Sequence, residues 1–386
     1  MKPDARPFRA LRSAWLLWLL LSLAVPAQAL ETAHLAAQLE QLRAAAHAPG
    51  ATAAVMVGGE LAYAGGVGVA DAENAVPADG ASVHNIGSVS KVVGAIAVMQ
   101  LVEQGKVDLD AEIQAYAPWF PRKQAPVTVR RILTHTSGIR HYRDGEFGEG
   151  DVLRFRQYPD IETATRFWRD DPLLFDPGTR WSYSSHASNL LQAVIEQASG
   201  QDMESYLRER IWRPAGMAAT QFDVPVRIVP RRARGYEWDA DHGTLGNAVQ
   251  ENVSYKYVGG GILASDEDMV RLGHALNAGR LLGAGAIAEM YRPQLDGSVA
   301  AYAPPGGGEA REVPVQGLIW RVQQDPAGRR YVAHSGSVKG TLSYLANWPE
   351  QDVVVALHVN ARGGEADLRA AAEALAAEFL PGPARD

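Results

Sequence analysis

Segments that read as strands lie at both ends of this chain, and segments that read as helices fill its middle. Near the start, Ala51–Val57 and Leu61–Val67 flank Gly58-Gly59, the pattern of a β-hairpin on a glycine turn. Near the end, Gly317–Gln323, Arg330–His334, Thr341–Trp348 and Val353–Val359 read as strands. Pro326-Ala327-Gly328 and Pro349-Glu350-Gln351-Asp352 mark two of the turns between them. Between the two ends, Ser88–Gln104 is an apolar helix closed by Gly105, and Val127–Thr134 is a short one. Asn189–Ala198 and Met203–Ile211 lie either side of Gly200, and Asp266–Ala278 opens on Ser265 as its cap. Glu31–Ala46 is amphipathic, with Leu35, Leu39 and Leu42 on one face, and Glu365–Phe379 closes the chain as a helix. The simplest packing is an α/β fold of the α+β type. One antiparallel sheet is assembled from both termini and flanked by the terminal helices, with a mostly helical lobe inserted. The sheet lobe spans about 30–87 and 255–386 and the helical lobe about 88–254, so the cleft between them is the natural place for a site.

The first 29 residues stand apart. Lys2, Arg6, Arg9 and Arg12 precede an apolar run, Ala14–Val25, and the small residues Ala27-Gln28-Ala29. This order is that of a secretory signal peptide cleaved after Ala29, which predicts a periplasmic or secreted mature chain of residues 30–386. The run falls short of the roughly 20 residues of a membrane-spanning helix, and no later segment is apolar enough to span, so no stable membrane anchor is expected. The formal charge is −7, and the leader is basic, so the mature chain is more acidic still. That balance argues against nucleic acid as a partner and leaves a small molecule or peptide as substrate. With no cysteine, disulfides, thiolate metal sites and a cysteine nucleophile are excluded. His135 and His141 lack an H-E-x-x-H pattern, so neither a metal nor another cofactor is expected. Gly259-Gly260-Gly261 lacks the strand, helix and Lys-Ser/Thr of a phosphate loop. Residues 143–151 read as an acidic loop and 304–308 as a flexible one.

Three short stretches carry chemistry. Ser88 opens the apolar helix and Lys91 follows three residues later, on the same helical face. A serine hydroxyl needs a base within hydrogen-bond reach, and a lysine can serve only when burial lowers its pKa. Val92, Val93, Ala95 and Ile96 supply apolar neighbours. Alone, the spacing also fits a serine cap beneath a solvated lysine. Tyr183, in Trp181-Ser182-Tyr183-Ser184-Ser185, carries a phenol able to relay a proton to a leaving group. His334-Ser335-Gly336-Ser337 ends a strand. There Gly336 admits a close backbone approach, His334 can hold a carboxylate or tune the site, and the Ser337 and Ser88 N–H groups can form an oxyanion hole.

In this order and spacing the motifs resemble those of the serine β-lactamase-like family, which includes penicillin-binding proteins, class C β-lactamases, D-alanyl-D-alanine carboxypeptidases and related esterases. Leu133-Thr134-His135-Thr136-Ser137-Gly138-Ile139, Phe175-Asp176-Pro177-Gly178-Thr179 and Glu196-Gln197-Ala198-Ser199-Gly200 are similar to further stretches of that family. Gly138-Ile139-Arg140-His141-Tyr142, Asp171–Gly178 and Ser254-Tyr255-Lys256-Tyr257-Val258-Gly259-Gly260-Gly261 most resemble its mitochondrial serine β-lactamase-like branch and bacterial relatives. The resemblance implies a β-lactamase/transpeptidase-like fold. It also implies Ser88 as nucleophile, Lys91 as base, Tyr183 as proton relay, and His334 with Gly336 as the strand motif. Ser185 stands where many members carry an Asn that donates to a substrate amide, and His334 stands where class C β-lactamases carry Lys. The expected activity is hydrolysis of amide or ester bonds in peptide-like substrates through an acyl-enzyme on Ser88. The rivals are a carboxyl esterase on the same scaffold and a catalytically silent scaffold protein.

Overall fold

The computed structural model describes residues 27–143, 146, 155–303 and 312–382. The leader up to residue 26, most of the acidic loop and the 304–308 loop lie outside the described residues. The amphipathic helix α1 runs Ala27–Ala45, and the hairpin follows as β1 (Gly50–Val57) and β2 (Glu60–Asp71), with a short β3 (Val76–Pro77). β4 (Val83–Asn85), β5 (Gln221–Phe222) and β6 (Ile262–Ser265) form a small separate sheet in the order β4-β6-β5. The C-terminal strands are β7 (Arg321–Gln324), β8 (Arg330–Val338), β9 (Thr341–Trp348) and β10 (Val353–Val359).

The main sheet has seven strands in the order β7-β8-β9-β10-β1-β2-β3, every neighbouring pair antiparallel. β10 therefore joins the two ends of the chain, pairing with β1 from Ala51↔Val359 to Val57↔Val353. Both faces are covered, and alternation along each strand sorts the side chains between two cores. Ala53 and Val55 of β1, with Val353, Val355 and Leu357 of β10, pack against Leu35, Leu39 and Leu42 of α1 and Leu375 of the closing helix. Ala54, Met56, Val354 and Ala356 face the other way, into the larger core of the helical part.

At the centre of that larger core lies α2, Ser90–Glu103, in which Ser90–Met99 and Leu101 are all buried. A helix apolar all round belongs in an interior rather than on a surface. The sequence predicts one helix from Ser88, but the first turn, Gly87–Val89, is 3₁₀ and leads into α2 through Val89 and Ser90 at helical angles, while Gly87 at φ +50 turns the chain into it. The strand predicted at Gly317–Gln323 is only four residues, since Ile319 has φ +68, outside the β region. Arg330–His334 instead continues to Val338, so the His334-Ser335-Gly336-Ser337 stretch lies inside β8. The helix expected at Asn189 begins earlier, as α3 (Ser185–Asn189) capped by the Ser184 side chain, and continues as α4 (Leu191–Ser199) to Gly200 at φ +72. The glycines at 259–260 close a one-turn helix, α5 (Tyr257–Gly260). α6 (Asp266–Asn277) is capped by Ser265 as expected, and α7 (Leu368–Ala377) is capped by Asp367. Among the described residues no helix is long and apolar enough to cross a membrane.

One buried polar cluster ties α6 to the sheet. His358 of β10 sits 2.6 Å from the Asp266 carboxylate and stacks on His84 of β4 at 4.6 Å between ring centroids. Burial, reinforced by His358, holds His84 at about 3 against the opposite pull of Asp266 and Asp79. The unfolded chain takes up this proton near the ordinary 6.5, so between 6.5 and about 3 the unfolded state binds more protons. The stability contributed by the neutral ring is therefore fully present above 6.5 and lost as the pH falls through that window. In His84→Gln, thermal unfolding followed between pH 6.5 and 4 has a pH slope shallower by about one proton. Identical slopes in the two proteins contradict the assignment.

Candidate active site

The turn carrying Ser88 is fixed on all sides. The Gly87 N–H donates to Asn85 Oδ1 at 2.8 Å, Ser343 Oγ donates to the Ile86 carbonyl at 2.8 Å, and Ser90 Oγ accepts from the Ile262 N–H at 3.2 Å. A Cβ on Gly87 would lie 2.8 Å from the Ser337 nitrogen, and one on Gly336 would lie 2.1 Å from the Ile86 oxygen. Only glycines at these two positions let the turn rest directly against β8. Gly336 is thus required by the protein's own backbone at Ile86, where the sequence suggests a substrate approach. The contact sets Ser88 beside the backbone of Ser337.

Lys91 is one turn further along, with no exposed surface. Its Nζ lies 2.9 Å from Ser88 Oγ and 2.5 Å from the Gly259 carbonyl oxygen of α5. Burial drives the amine below its ordinary value, and Arg321 and Lys256 add to this, while Tyr183 opposes it. The close passage of α5 depends on two more glycines. A Cβ on Gly94 would meet Val258 Cγ1 at 2.3 Å, and one on Gly259 would meet Asn189 Oδ1 at 2.1 Å.

Tyr183 reaches the same point from the other side. Its ring centroid is 5.1 Å from Lys91 Nζ, and its hydroxyl interacts with both Lys91 and Ser88. Burial works against ionisation of the phenol, but the Lys91 charge and these interactions outweigh it, and its pKa is lowered. The stretch around His135 holds Tyr183 in place. The His135 carbonyl accepts from the Ser182 N–H at 2.9 Å, its Nδ1 accepts from the Ser184 N–H at 3.4 Å, and its ring lies 4.4 Å from the Tyr183 ring. Burial, with Lys91 close by, keeps His135 neutral, as an accepting nitrogen requires.

These groups open into a cleft of about 420 Å³, whose walls include Ser88, Tyr183, Ser185, Lys256, Arg321 and Ser337. Ser185 stands on the wall opposite β8, and its N–H donates to His141 Nδ1 at 3.1 Å. His334 is 1% exposed and lies beneath the cleft, its ring 6.4 Å from that of Tyr183, with Nδ1 2.7 Å from the Ser335 carbonyl. Burial and the charges of Arg321 and Lys91 push its pKa well below the ordinary histidine value. It does not line this cleft but an adjoining cavity of about 510 Å³, which shares Arg321, Ser335 and Ser337 with it. The cation on that wall is Arg321 of β7, which donates to Ser335 Oγ at 3.1 Å and makes no ion pair with a carboxylate among the described residues. Sequence reading missed Arg321, Gly94 and Lys256. Arg321 alternates with apolar positions like any strand arginine, and the other two gain meaning only once α5 is laid against α2.

The family model described as Beta-lactamase matches residues 35–378. The chain belongs to the Beta-lactamase family. It is similar to the mitochondrial serine beta-lactamase-like protein LACTB of Homo sapiens, 25% identical over 81% of this chain and 71% of that protein. It is similar also to the esterase EstB of Burkholderia gladioli, 30% identical over 85% of this chain and 90% of that one. Among solved structures, the octameric penicillin-binding protein homologue from Pyrococcus abyssi superposes with a TM-score of 0.73 at 26% identity, covering 91% of this chain and 78% of that one. The protein is accordingly a serine hydrolase with the β-lactamase/transpeptidase-like fold.

The Gly94–Val258 contact is open to a direct test. Gly94→Val overfills a closed space, so unfolding free energy falls by about 1–3 kcal/mol. Because the insertion also pushes α5 and the Gly259 carbonyl away from Lys91, ester hydrolysis by the folded fraction falls at least about tenfold. Full activity in the folded variant contradicts this role for the contact.

Proposed function

We propose that the protein is an exported hydrolase that transfers the acyl group of a peptide-like amide or ester to Ser88 and then to water. The observation that carries this reading is the buried Lys91 amine 2.9 Å from Ser88 Oγ. With its pKa lowered, the amine is available as a free base. It donates an N–H to the Gly259 carbonyl and turns its lone pair toward the serine hydroxyl. Ser88 Oγ attacks the substrate carbonyl carbon and Lys91 takes its proton. The carbonyl oxygen gains charge beside the Ser88 and Ser337 backbone, where N–H groups stabilise it. As the bond to the leaving group breaks, the proton passes through Tyr183 to the departing nitrogen or oxygen, leaving an ester on Ser88. Water then attacks that ester, gives up a proton to the same pair of groups and restores the hydroxyl. Arg321 offers a guanidinium on the cleft wall suited to a substrate carboxylate.

A second reading, a carboxyl esterase, is favoured by one feature. Ser185 occupies the wall position where an Asn would donate to a substrate amide, and its hydroxyl is shorter by one heavy-atom bond. An ester carbonyl makes no such demand. The similarity to EstB, which is called an esterase, supports the same preference.

Labelling with a fluorophosphonate probe and peptide mapping tests the shared mechanism. The label is expected on Ser88 and absent from Ser88→Ala, and label retained in that variant overturns it. A panel of p-nitrophenyl esters, D-amino-acid peptides and a chromogenic cephalosporin separates the two readings, since hydrolysis of esters alone selects the esterase. The proposed export is checked by N-terminal sequencing of protein from the periplasm or medium, which is expected to begin at Leu30.

A further inference from the structure

The cleft contains a second lysine that the mechanism above does not use. Lys256 lines the cleft with Ser88, yet its side chain is only 10% exposed. Its ammonium lies 2.8 Å from one Glu251 carboxylate oxygen, and the Tyr255 hydroxyl donates to the other at 2.5 Å. Glu251 is itself buried, 6% exposed. Removing two full charges from water is costly, and an ion pair so placed is weak evidence of a stabilising purpose. Its location suggests another use.

Lys256 immediately precedes α5, and its carbonyl accepts from the Gly260 N–H at 2.7 Å. That single turn carries the Gly259 carbonyl to which Lys91 donates. The anchored end of the turn and the Lys91 acceptor are thus three residues apart in one rigid unit. The Lys256 charge in turn disfavours that of the Lys91 amine beneath the cleft.

We propose that the Lys256–Glu251 ion pair is a positioning element for proton transfer, fixing the α5 turn against Lys91 and setting the electrostatic field in which Lys91 works. This rests on the reading of Ser88 and Lys91 as nucleophile and base. The other groups facing Lys91 are Tyr183, Arg321 of β7, His334 of β8 and His135 of the turn before Tyr183. Glu251 is also faced by Tyr142 and Lys339. None of these changes in the variants below, so a shift between variants reports the pair.

The test is a charge cycle read in the acid limb of kcat/KM against pH, using a p-nitrophenyl ester. Lys256→Gln removes a cation that disfavours the Lys91 charge, so the limb moves to higher pH, by about one unit. Glu251→Gln leaves the Lys256 cation without its anion, and the limb moves to lower pH. Glu251→Gln/Lys256→Gln removes both charges with similar volume. Its limb lies between those of the two single variants, and if one single variant fails to fold the other still carries the test, since a structural pair leaves its limb unmoved. A purely structural pair lowers kcat in all three with the limb unmoved, and that result overturns the proposal. Ser88→Ala assayed in parallel separates the two claims, because activity surviving there removes the underlying mechanism whatever the limb does.

Discussion

The site depends on keeping one amine dry. A lysine with no exposed surface is rare, since its ammonium ordinarily holds the side chain at the protein boundary. Here the ammonium is destabilised by burial and by Arg321 and Lys256, so the proton is held weakly. In the proposed mechanism a base is created by withholding solvent, and the surrounding architecture serves that exclusion. α2 carries Lys91 into the interior, the sheet closes one side through β8, and α5 closes the other with a carbonyl aimed at Nζ.

Glycine does much of the closing. Three elements converge on Ser88 and Lys91 at distances no side chain permits: Gly87 on Ser337, Gly336 on Ile86, and Gly94 on Val258. The first two contacts bring backbone where a Cβ would stand, and backbone supplies fixed dipoles that need no reorganisation during reaction, while the third seats the Val258 side chain against α2. Tyr183 depends on a different device, a neutral His135 whose ring and backbone together grip the segment from Ser182 to Ser184. The polar groups are therefore positioned by packing and by short main-chain hydrogen bonds rather than by long flexible side chains.

The strands and helices legible in the sequence were those with uninterrupted patterning. Thr341–Trp348 and Val353–Val359 match their observed strands residue for residue, because both are mostly apolar, buried segments separated by the turn at Pro349–Asp352. Reading failed where a single backbone angle intervened. Gly87 at positive φ opens the Ser88 turn ahead of α2, and Ile319 at positive φ shortens β7, and neither is signalled by hydropathy. The Ser88, Lys91 and Tyr183 constellation was legible because i, i+3 spacing and motif order are one-dimensional. Arg321 and the Lys256–Glu251 pair were not, since their meaning lies in which walls the chain brings together. His334 was read from its motif, but whether it faces substrate or lies beneath the cleft depends on the burial of β8, which the motif does not encode.

The claim that everything else requires is that burial lowers the pKa of the Lys91 amine in the resting enzyme. The chain has six lysines, so ¹³Cε-lysine labelling gives a spectrum simple enough to assign with Lys91→Arg. Titration of the Cε shift in the intact protein reports each amine directly. The account predicts one resonance, lost in Lys91→Arg, that titrates clearly below the ordinary lysine value of 10.5. A Lys91 resonance titrating at or above that value contradicts it.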